Sequence, residues 1–482
     1  MQMYDGRHKT PLIMLIGAII IVTGSLVTAQ DGPAGNSEKL SSWDQWWKDF
    51  HNPTDYLEMG LDHRFRTITA RNIDTLDTDA TQNKWNYQRY RFRWWTKWLI
   101  NENVDFNARL VWEFRTWDEP NRKPQDTDFD EMILDRFNFT VRNLFDMPVT
   151  AVIGRQDLIF GVGWLVLDGT PMDGSRTIFT DAARFTYDWK EKDTKIDMIY
   201  IDHASASDRW LKPINDRDRG LTEQDEYGAI LYLTNQSFEK TKVEAYFMYK
   251  NDNPVDILPG DLNFPGAWSR KAEIYTFGGA VSKKVNENWN YRIEGAIQTG
   301  EKSDVTSDLS TGTMRDLEAC GVLTNLEYLF HDSHDSSVHV GYEYESGDDP
   351  TTDDNEQFDP LWAEWPRWSE LYIYTYSKET MIAESTNVRR FNLGHKFNPN
   401  KKWQICTDYH LLWADENTSS TALSFSDTSK FRGQLFTCWA KYKMSAQLTG
   451  HLLGEYFVPG TYYDQSNRDA AFFLRFNLEY KF

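Results

Sequence analysis

The stretch Trp85-Asn86-Tyr87-Gln88-Arg89-Tyr90-Arg91-Phe92-Arg93-Trp94-Trp95-Thr96-Lys97-Trp98-Leu99-Ile100 decides the fold. Its even positions carry Tyr90, Phe92, Trp94, Trp98 and Ile100, and its odd positions carry Arg89, Arg91, Arg93 and Lys97. Successive side chains of a strand point to opposite faces, so an extended segment has one aromatic face and one basic face here. A helix would scatter the two sets around its circumference. Past the polar turn Asn101-Glu102-Asn103 the pattern repeats: Val104, Phe106, Ala108, Leu110, Trp112 and Phe114 against Asp105, Asn107, Arg109, Glu113 and Arg115. Alternation over about ten residues is the signature of a strand that crosses a bilayer with lipid on one side and a polar lumen on the other.

The alternation continues down the chain. Leu57, Met59, Leu61 and Phe65 alternate with Glu58, Asp62, Arg64 and Arg66; Trp289, Tyr291, Ile293 and Ile297 alternate with Arg292, Glu294 and Gln298. Similar runs lie around 243–250, 338–345 and 403–413, and the last closes on Phe472, Leu474, Phe476, Leu478, Tyr480 and Phe482. Short links near 101–103, 144–147, 190–194, 235–240, 285–288, 331–335, 398–401 and 443 alternate with long ones. The long links fall near 67–84, 118–130, 158–181, 204–225, 251–272, 300–317, 347–386, 415–430 and 458–469. Short periplasmic turns and long outer loops are the rule in outer-membrane barrels, and this count predicts about eighteen antiparallel strands with both termini in the periplasm. A soluble β-sandwich would also alternate, but needs far fewer aromatics than the 20 Trp, 24 Tyr and 28 Phe present.

Composition agrees with that class. The chain has 482 residues and a net charge of −21; its mean hydropathy of −0.64 hides the membrane strands, because lipid-facing and lumen-facing residues cancel. Arg7, His8 and Lys9 precede an apolar run from Pro11 to Val22 and the small-residue end Val27-Thr28-Ala29, so residues 1–29 are expected to be a cleaved signal peptide. Residues 30–55 are expected to form a periplasmic N-terminal segment with a short amphipathic helix, because Trp43, Trp46, Trp47 and Phe50 share one helical face. The barrel then occupies 56–482. Cys320, Cys406 and Cys438 are scattered and odd in number, which argues against a disulfide framework or a metal site.

The inward face of the N-terminal half is basic. If the turn at 101–103 fixes the register, Arg91 faces Glu113, Arg89 faces Arg115, and Lys97 faces Asn107. Together with Arg64, Arg66, Arg93, Arg109, Arg136, Arg155 and Arg184 this predicts an arginine-lined wall along a pore. Guanidinium groups hold carboxylates with two hydrogen bonds and stabilise anions in a narrow bore. The opposing reading is a self-neutralising charge ladder, for which Asp62, Asp105, Glu113, Asp188, Glu244 and Asp408 are available. The acidic loop with Asp348, Asp349, Asp353 and Asp354 is a weak candidate for Ca²⁺; its spacing matches no EF-hand loop. No His-Glu-x-x-His, Gly-x-Ser-x-Gly or phosphate-cradling glycine loop is present, and His203, His410 and His451 fall on separate predicted strands, so no enzyme is expected.

Three places carry a family resemblance: Gly154-Arg155-Gln156 with Asp173-Gly174 downstream, Gly341-Tyr342 with Ser346-Gly347-Asp348-Asp349-Pro350 and Phe358-Asp359-Pro360-Leu361, and the terminal strand with its closing phenylalanine. In these the chain resembles the alginate-export outer-membrane porins. It departs from their pattern between Gly163 and Phe179, where it reads Trp164-Leu165-Val166-Leu167-Asp168-Gly169-Thr170-Pro171. The resemblance implies an eighteen-stranded barrel that passes an acidic polysaccharide. The expected function is a passive, anion-preferring outer-membrane channel for an acidic oligo- or polysaccharide. The rivals are a general or small-solute porin and, less favoured, a barrel hydrolase. Expected partners are outer-membrane lipid and lipopolysaccharide, an anionic glycan or small anionic solute, and periplasmic export components; nucleic acid is not expected.

Overall fold

The computed structural model describes residues 42–120, 127–167, 179–205, 210–215, 222, 224–254, 270–305, 312–418 and 425–482. The expected signal peptide, the Asp173-Gly174 motif and the departing residues Asp168–Pro171 lie outside the described residues. Among the described residues, eighteen strands form one antiparallel sheet in which each pairs with its chain neighbours. The sheet closes where β1 (Leu57–Arg71) pairs with β18 (Ala471–Lys481). Closure leaves no unpaired edge, the condition for a sheet to sit in hydrocarbon. No described helix is long and apolar enough to cross a membrane.

The predicted register holds. Between β2 (Lys84–Asn101) and β3 (Val104–Glu119), Arg89 lies opposite Arg115, Arg91 opposite Glu113 and Lys97 opposite Asn107. Along β2, Arg89, Arg91 and Arg93 are buried while Trp94 and Trp98 are exposed. The same parity exposes Phe277, Ile293, Ile297, Leu393, Phe436 and Phe476 on the outer face. An outward apolar band flanked by aromatic residues is the surface that lipid covers. The helix expected around the N-terminal tryptophans spans Ser42–His51. Near its end, the Phe50 ring lies edge-on to Phe482, with centroids 6.4 Å apart.

Two details go beyond what the alternation gives. The first long link begins later than residue 67, because β1 continues to Arg71 with Ile68 and Ala70 buried on the lumen side. The parity had concealed this, since an apolar residue facing a water-filled lumen is not expected. Here the lumen is filled at that height by a packed cluster that includes Leu371, Tyr372, Tyr376, Tyr462 and Tyr463. Secondly, β4 (Thr127–Val141) shifts register against β3 between Arg109 and Leu110, so that Asp135 is inserted beside Arg136. An extra residue of this kind re-aims side chains.

Two long connections fold into the lumen. The first, residues 157–167, leaves β5 (Val149–Gln156) and turns at Gly161-Val162-Gly163, where both glycines have positive φ (61° and 74°). The second, residues 346–387, leaves β13 (Ser337–Glu345) and contains a helix, Glu370–Glu379, that the sequence reading did not anticipate. Ser369 caps this helix by accepting from the Tyr372 N–H, and Glu455 accepts from the Leu371 N–H at 2.6 Å. A carboxylate at a helix N-terminus meets orphan N–H groups and the positive end of the dipole. The two connections join through Trp362 N–H to the Leu165 carbonyl (3.0 Å) and by stacking of Trp164 on Phe358.

Candidate pore and its constriction

The arginine wall is built by three adjacent strands. β1 and β2 place Arg64 directly opposite Arg91 and Arg66 directly opposite Arg89, and β3 adds Arg115 beside Arg89. Like charges face each other across the sheet, which is destabilising unless other groups compensate. Compensation comes from carboxylates one position away from the expected partner. Glu113, predicted to pair with Arg91, instead pairs with Arg89 and lies 3.5 Å from Arg64. Arg91 reaches Glu479 at 3.2 Å and Asp62 at 3.5 Å. Arg93 lies 3.8 Å from Asp135.

The ten predicted arginines therefore divide. Arg64, Arg91 and Arg93 line a cavity of about 1110 Å³ at the short-turn end of the barrel. Nine basic side chains line it, including Arg367, Lys441 and Lys481, against two carboxylates, Asp335 and Glu479. Arg66 and Arg89 sit behind this surface, each buried, with Arg66 donating to Asn477 at 2.8 Å. Arg109 is held by two carboxylates at once: it donates to Asp135 at 2.6 and 2.9 Å and to Asp157 at 2.8 and 3.0 Å. Arg136 pairs with Asp157 as well. Arg155 is fully buried against Asp181 (3.0 Å) and over the Phe179 ring at 3.7 Å. Arg115 lies over Tyr87 and Trp117.

Arg184 pairs with Asp197 at 2.8 Å and lines a separate cavity of about 490 Å³. Arg184, Lys190, Lys195 and Lys242 are matched there by Asp188, Asp193, Asp197 and Glu244, so that side of the bore is charge-balanced. The basic character is thus confined to one side.

A further cavity of about 540 Å³ lies where the two inward connections meet. Arg367 lines both it and the basic cavity. This residue was missed by the sequence reading because it sits on an irregular connection, where alternation carries no information. Its guanidinium donates to the Val162 carbonyl at 2.7 Å and lies 3.5 Å from Glu343. Glu343 also holds Arg390 at 2.7 Å. One residue further along the same face, Glu345 accepts from the Trp164 indole N–H at 3.0 Å and from the Ser385 hydroxyl at 2.9 Å. One wall strand thereby ties down both connections.

In the acidic loop, Asp348 accepts from Arg315 at 2.6 Å and Asp349 accepts from the Thr351 N–H at 2.9 Å. Asp353 is exposed and Asp354 half-buried. Among the described residues no three His, Cys, Asp or Glu side chains converge as a metal site.

A closed eighteen-stranded antiparallel barrel with a lipid-facing apolar band and a polar, loop-narrowed lumen defines an outer-membrane channel. The chain belongs to the alginate export family, whose sequence profile matches residues 55–473. In fold it is similar to a BenF-like porin from Pseudomonas fluorescens Pf-5, at 11% identity and a TM-score of 0.54, covering 89% of this chain and 98% of that one. It is also similar to OccAB1 of Acinetobacter baumannii, at 8% identity and a TM-score of 0.54, covering 88% and 96%. A third similar structure is OccK2 (OpdF) of Pseudomonas aeruginosa, determined in complex with glucuronate, at 11% identity and a TM-score of 0.50, covering 88% and 97%. No curated protein matches the chain.

Proposed function

We propose that the barrel is a passive, anion-preferring channel for an acidic oligo- or polysaccharide. The observation that carries this reading is the basic lining of the short-turn cavity, where nine basic side chains, Arg64 and its directly paired neighbour Arg91 among them, meet two carboxylates. Such an excess of like charge costs stability, and anions in the bore offset the part of the repulsion that the neighbouring carboxylates leave. Arg64, Arg91 and Arg93 offer planar donors that replace the hydration of a uronate carboxylate, while Glu479 and Asp62 beside them keep each site weak enough to release its occupant. The family match supports a saccharide cargo, and the glucuronate held by OccK2 is an instance of a uronate in a barrel of this fold.

The inward connections favour a second reading, a small-solute anion porin. They leave a middle cavity of about 540 Å³, the size of a small-molecule site. One experiment separates the two. Single-channel current of the refolded protein is measured in a planar bilayer under a salt gradient, with oligouronates of increasing length added. The saccharide channel gives anion-selective current that oligouronates block, and the block weakens in Arg91→Ala and Arg93→Ala. Anion-selective current blocked only by monomeric acids supports the small-solute porin. Unselective, unblocked current overturns both.

A further inference from the structure

The bore changes sign along its length. The short-turn cavity is lined by nine basic side chains and two carboxylates. The middle cavity is reached from it past Arg367 and Trp439, which line both. It is lined by five carboxylates, Glu226, Glu364, Glu370, Asp408 and Glu455, against the three arginines Arg292, Arg367 and Arg390. Groups directly behind this lining do not reverse the excess. Arg367 and Arg390 already share Glu343, at 3.5 and 2.7 Å, and Arg292 is held by Glu294 at 2.7 Å. On the other side, Glu226 lies 3.1 Å from Lys250 and Glu370 lies 2.8 Å from Arg475. These additions cancel. Asp408 faces His339 at 2.8 Å rather than a lysine or arginine, and Glu455 meets the N-terminus of the lumen helix. From here the cavity continues toward the long-loop end, where Thr180, His203 and Glu226 line it at the outer ends of their strands.

A cavity of about 540 Å³ equals a sphere about 10 Å across, no wider than the Debye length of about 10 Å at 0.1 M salt, so wall charges act across the whole stage. Low-dielectric walls carrying one sign of charge concentrate the opposite ion. Anions therefore gather in the lower stage and cations in the middle one. We propose that this two-stage bore is a rectifier, which passes ionic current more readily in one direction than in the other. With the long-loop side positive, anions are driven outward from the basic stage and cations inward from the acidic one. Both accumulate where the stages meet, at Arg367 and Trp439, and the conductance rises. With the opposite polarity both ions are drawn away from that junction, and the conductance falls. The favoured polarity is the one that moves anions outward across the membrane. The lower stage rests on the same basic lining as the anion-channel reading; the reversal above it does not.

The test is the open-channel current of the full-length folded protein in a planar bilayer, at equal voltages of either sign in symmetric potassium chloride. Orientation is read from Ser333→Cys, on an exposed short turn, with Cys320, Cys406 and Cys438 changed to serine. A maleimide too large to cross the pore, added to one chamber, reacts only when the short turns face that chamber. At about 0.1 M salt the current is expected to be about twofold or more larger with the long-loop side positive. The ratio falls toward one at about 1 M, where the Debye length is about 3 Å. Glu364→Gln and Arg91→Ala each lower the ratio, because each removes charge from one stage; if Glu364→Gln fails to fold, Asp408→Asn carries the same test. Equal currents at the lower salt, a larger current at the opposite polarity, a ratio that persists at the higher salt, or indifference to the middle-stage substitutions overturns the rectifier. A reversal potential under a salt gradient, measured on the same protein, keeps the two ideas apart. Anion selectivity with equal currents removes the rectifier and keeps the anion channel; salt-dependent unequal currents without anion selectivity do the reverse.

Discussion

Arg432 of the wall and Glu379 at the end of the lumen helix meet as a fully buried two-point ion pair, with two guanidinium N–H groups donating to the two carboxylate oxygens. The Tyr462 hydroxyl donates to the same carboxylate at 2.9 Å, and Arg432 donates to the Asn387 carbonyl at 2.9 Å. Removing one partner strands the other charge in an apolar cluster. Arg432→Ala is therefore expected to cost about 3–5 kcal/mol. Thermal unfolding of the barrel in detergent reads the loss, and bilayer recordings read the release of the helix as larger, noisier openings. A melting temperature equal to that of the wild type would sink this view of the anchor.

Charge on the wall can be changed in either direction. Glu113 holds Arg89 and lies 3.5 Å from Arg64, so Glu113→Gln leaves two buried arginines short of a counter-charge. Stability falls, while the wall becomes more positive and anion selectivity rises. Arg91→Ala acts oppositely on selectivity. A unit charge about 4 Å from a passing ion is worth about 1 kcal/mol even in bulk water, so loss of Arg91, which lines the basic cavity, is expected to shift the permeability ratio by about fivefold, and the change at Glu113, buried behind that surface, by less. Reversal potentials under a salt gradient check both signs; movement in the same direction would discredit the wall as the selecting element.

How far the sequence could be read depended on whether a residue sat on a regular strand. On β2 the period of two placed Arg89, Arg91 and Arg93 inward, and the three-residue turn placed Arg91 opposite Glu113. Pairing between strands that are not consecutive in the chain was not legible, because it depends on neighbours brought alongside by barrel closure. Arg91 reaches Glu479, which lies 388 residues away in the chain. Arg109 showed the same limit: alternation gave its direction, but Asp157 lies beyond the end of β5 and Asp135 sits at a register shift. Arg367 and the helix Glu370–Glu379 were illegible for a different reason. Their surroundings are apolar and aromatic only because the loop folds inward, which no local period records.

Gly154 of the Gly-Arg-Gln segment has φ of 119°, and a Cβ there would lie 2.3 Å from the Phe137 carbonyl oxygen of β4. The strained backbone at this residue brings Arg155 and Gln156 inward in succession, with Gln156 donating to the Ala182 carbonyl at 3.0 Å. Gly154→Ala meets both the backbone conformation and the close approach, at an expected cost of about 1–3 kcal/mol. Chemical or thermal unfolding measures it. Gly295→Ala is the comparison, because a Cβ there meets nothing closer than 3.8 Å. Equal stability of the two variants would remove the steric account.

Asp359, in the inward connection, lies 2.9 Å from Arg270 and 3.2 Å from Lys302, all three buried. Burial alone would raise its carboxyl, but Arg270, Lys302 and Lys250 overcome that and hold it well below the ordinary carboxylate range. A carboxyl whose folded-state value is depressed contributes stability that is fully present above its unfolded value, about 3.9, and is lost as pH falls through the folded value. The difference in stability between wild type and Asp359→Asn is therefore expected to stay constant from pH 7 to about pH 4.5 and to shrink only in stronger acid. Breaking one side of this buried cluster sets that plateau at about 3–5 kcal/mol. Paired unfolding measurements across the pH range check it. A difference that already shrinks between pH 7 and 5 would mean that Asp359 is not held ionised by Arg270 and Lys302, and the anchoring of the Phe358-Asp359-Pro360-Leu361 segment would need another source.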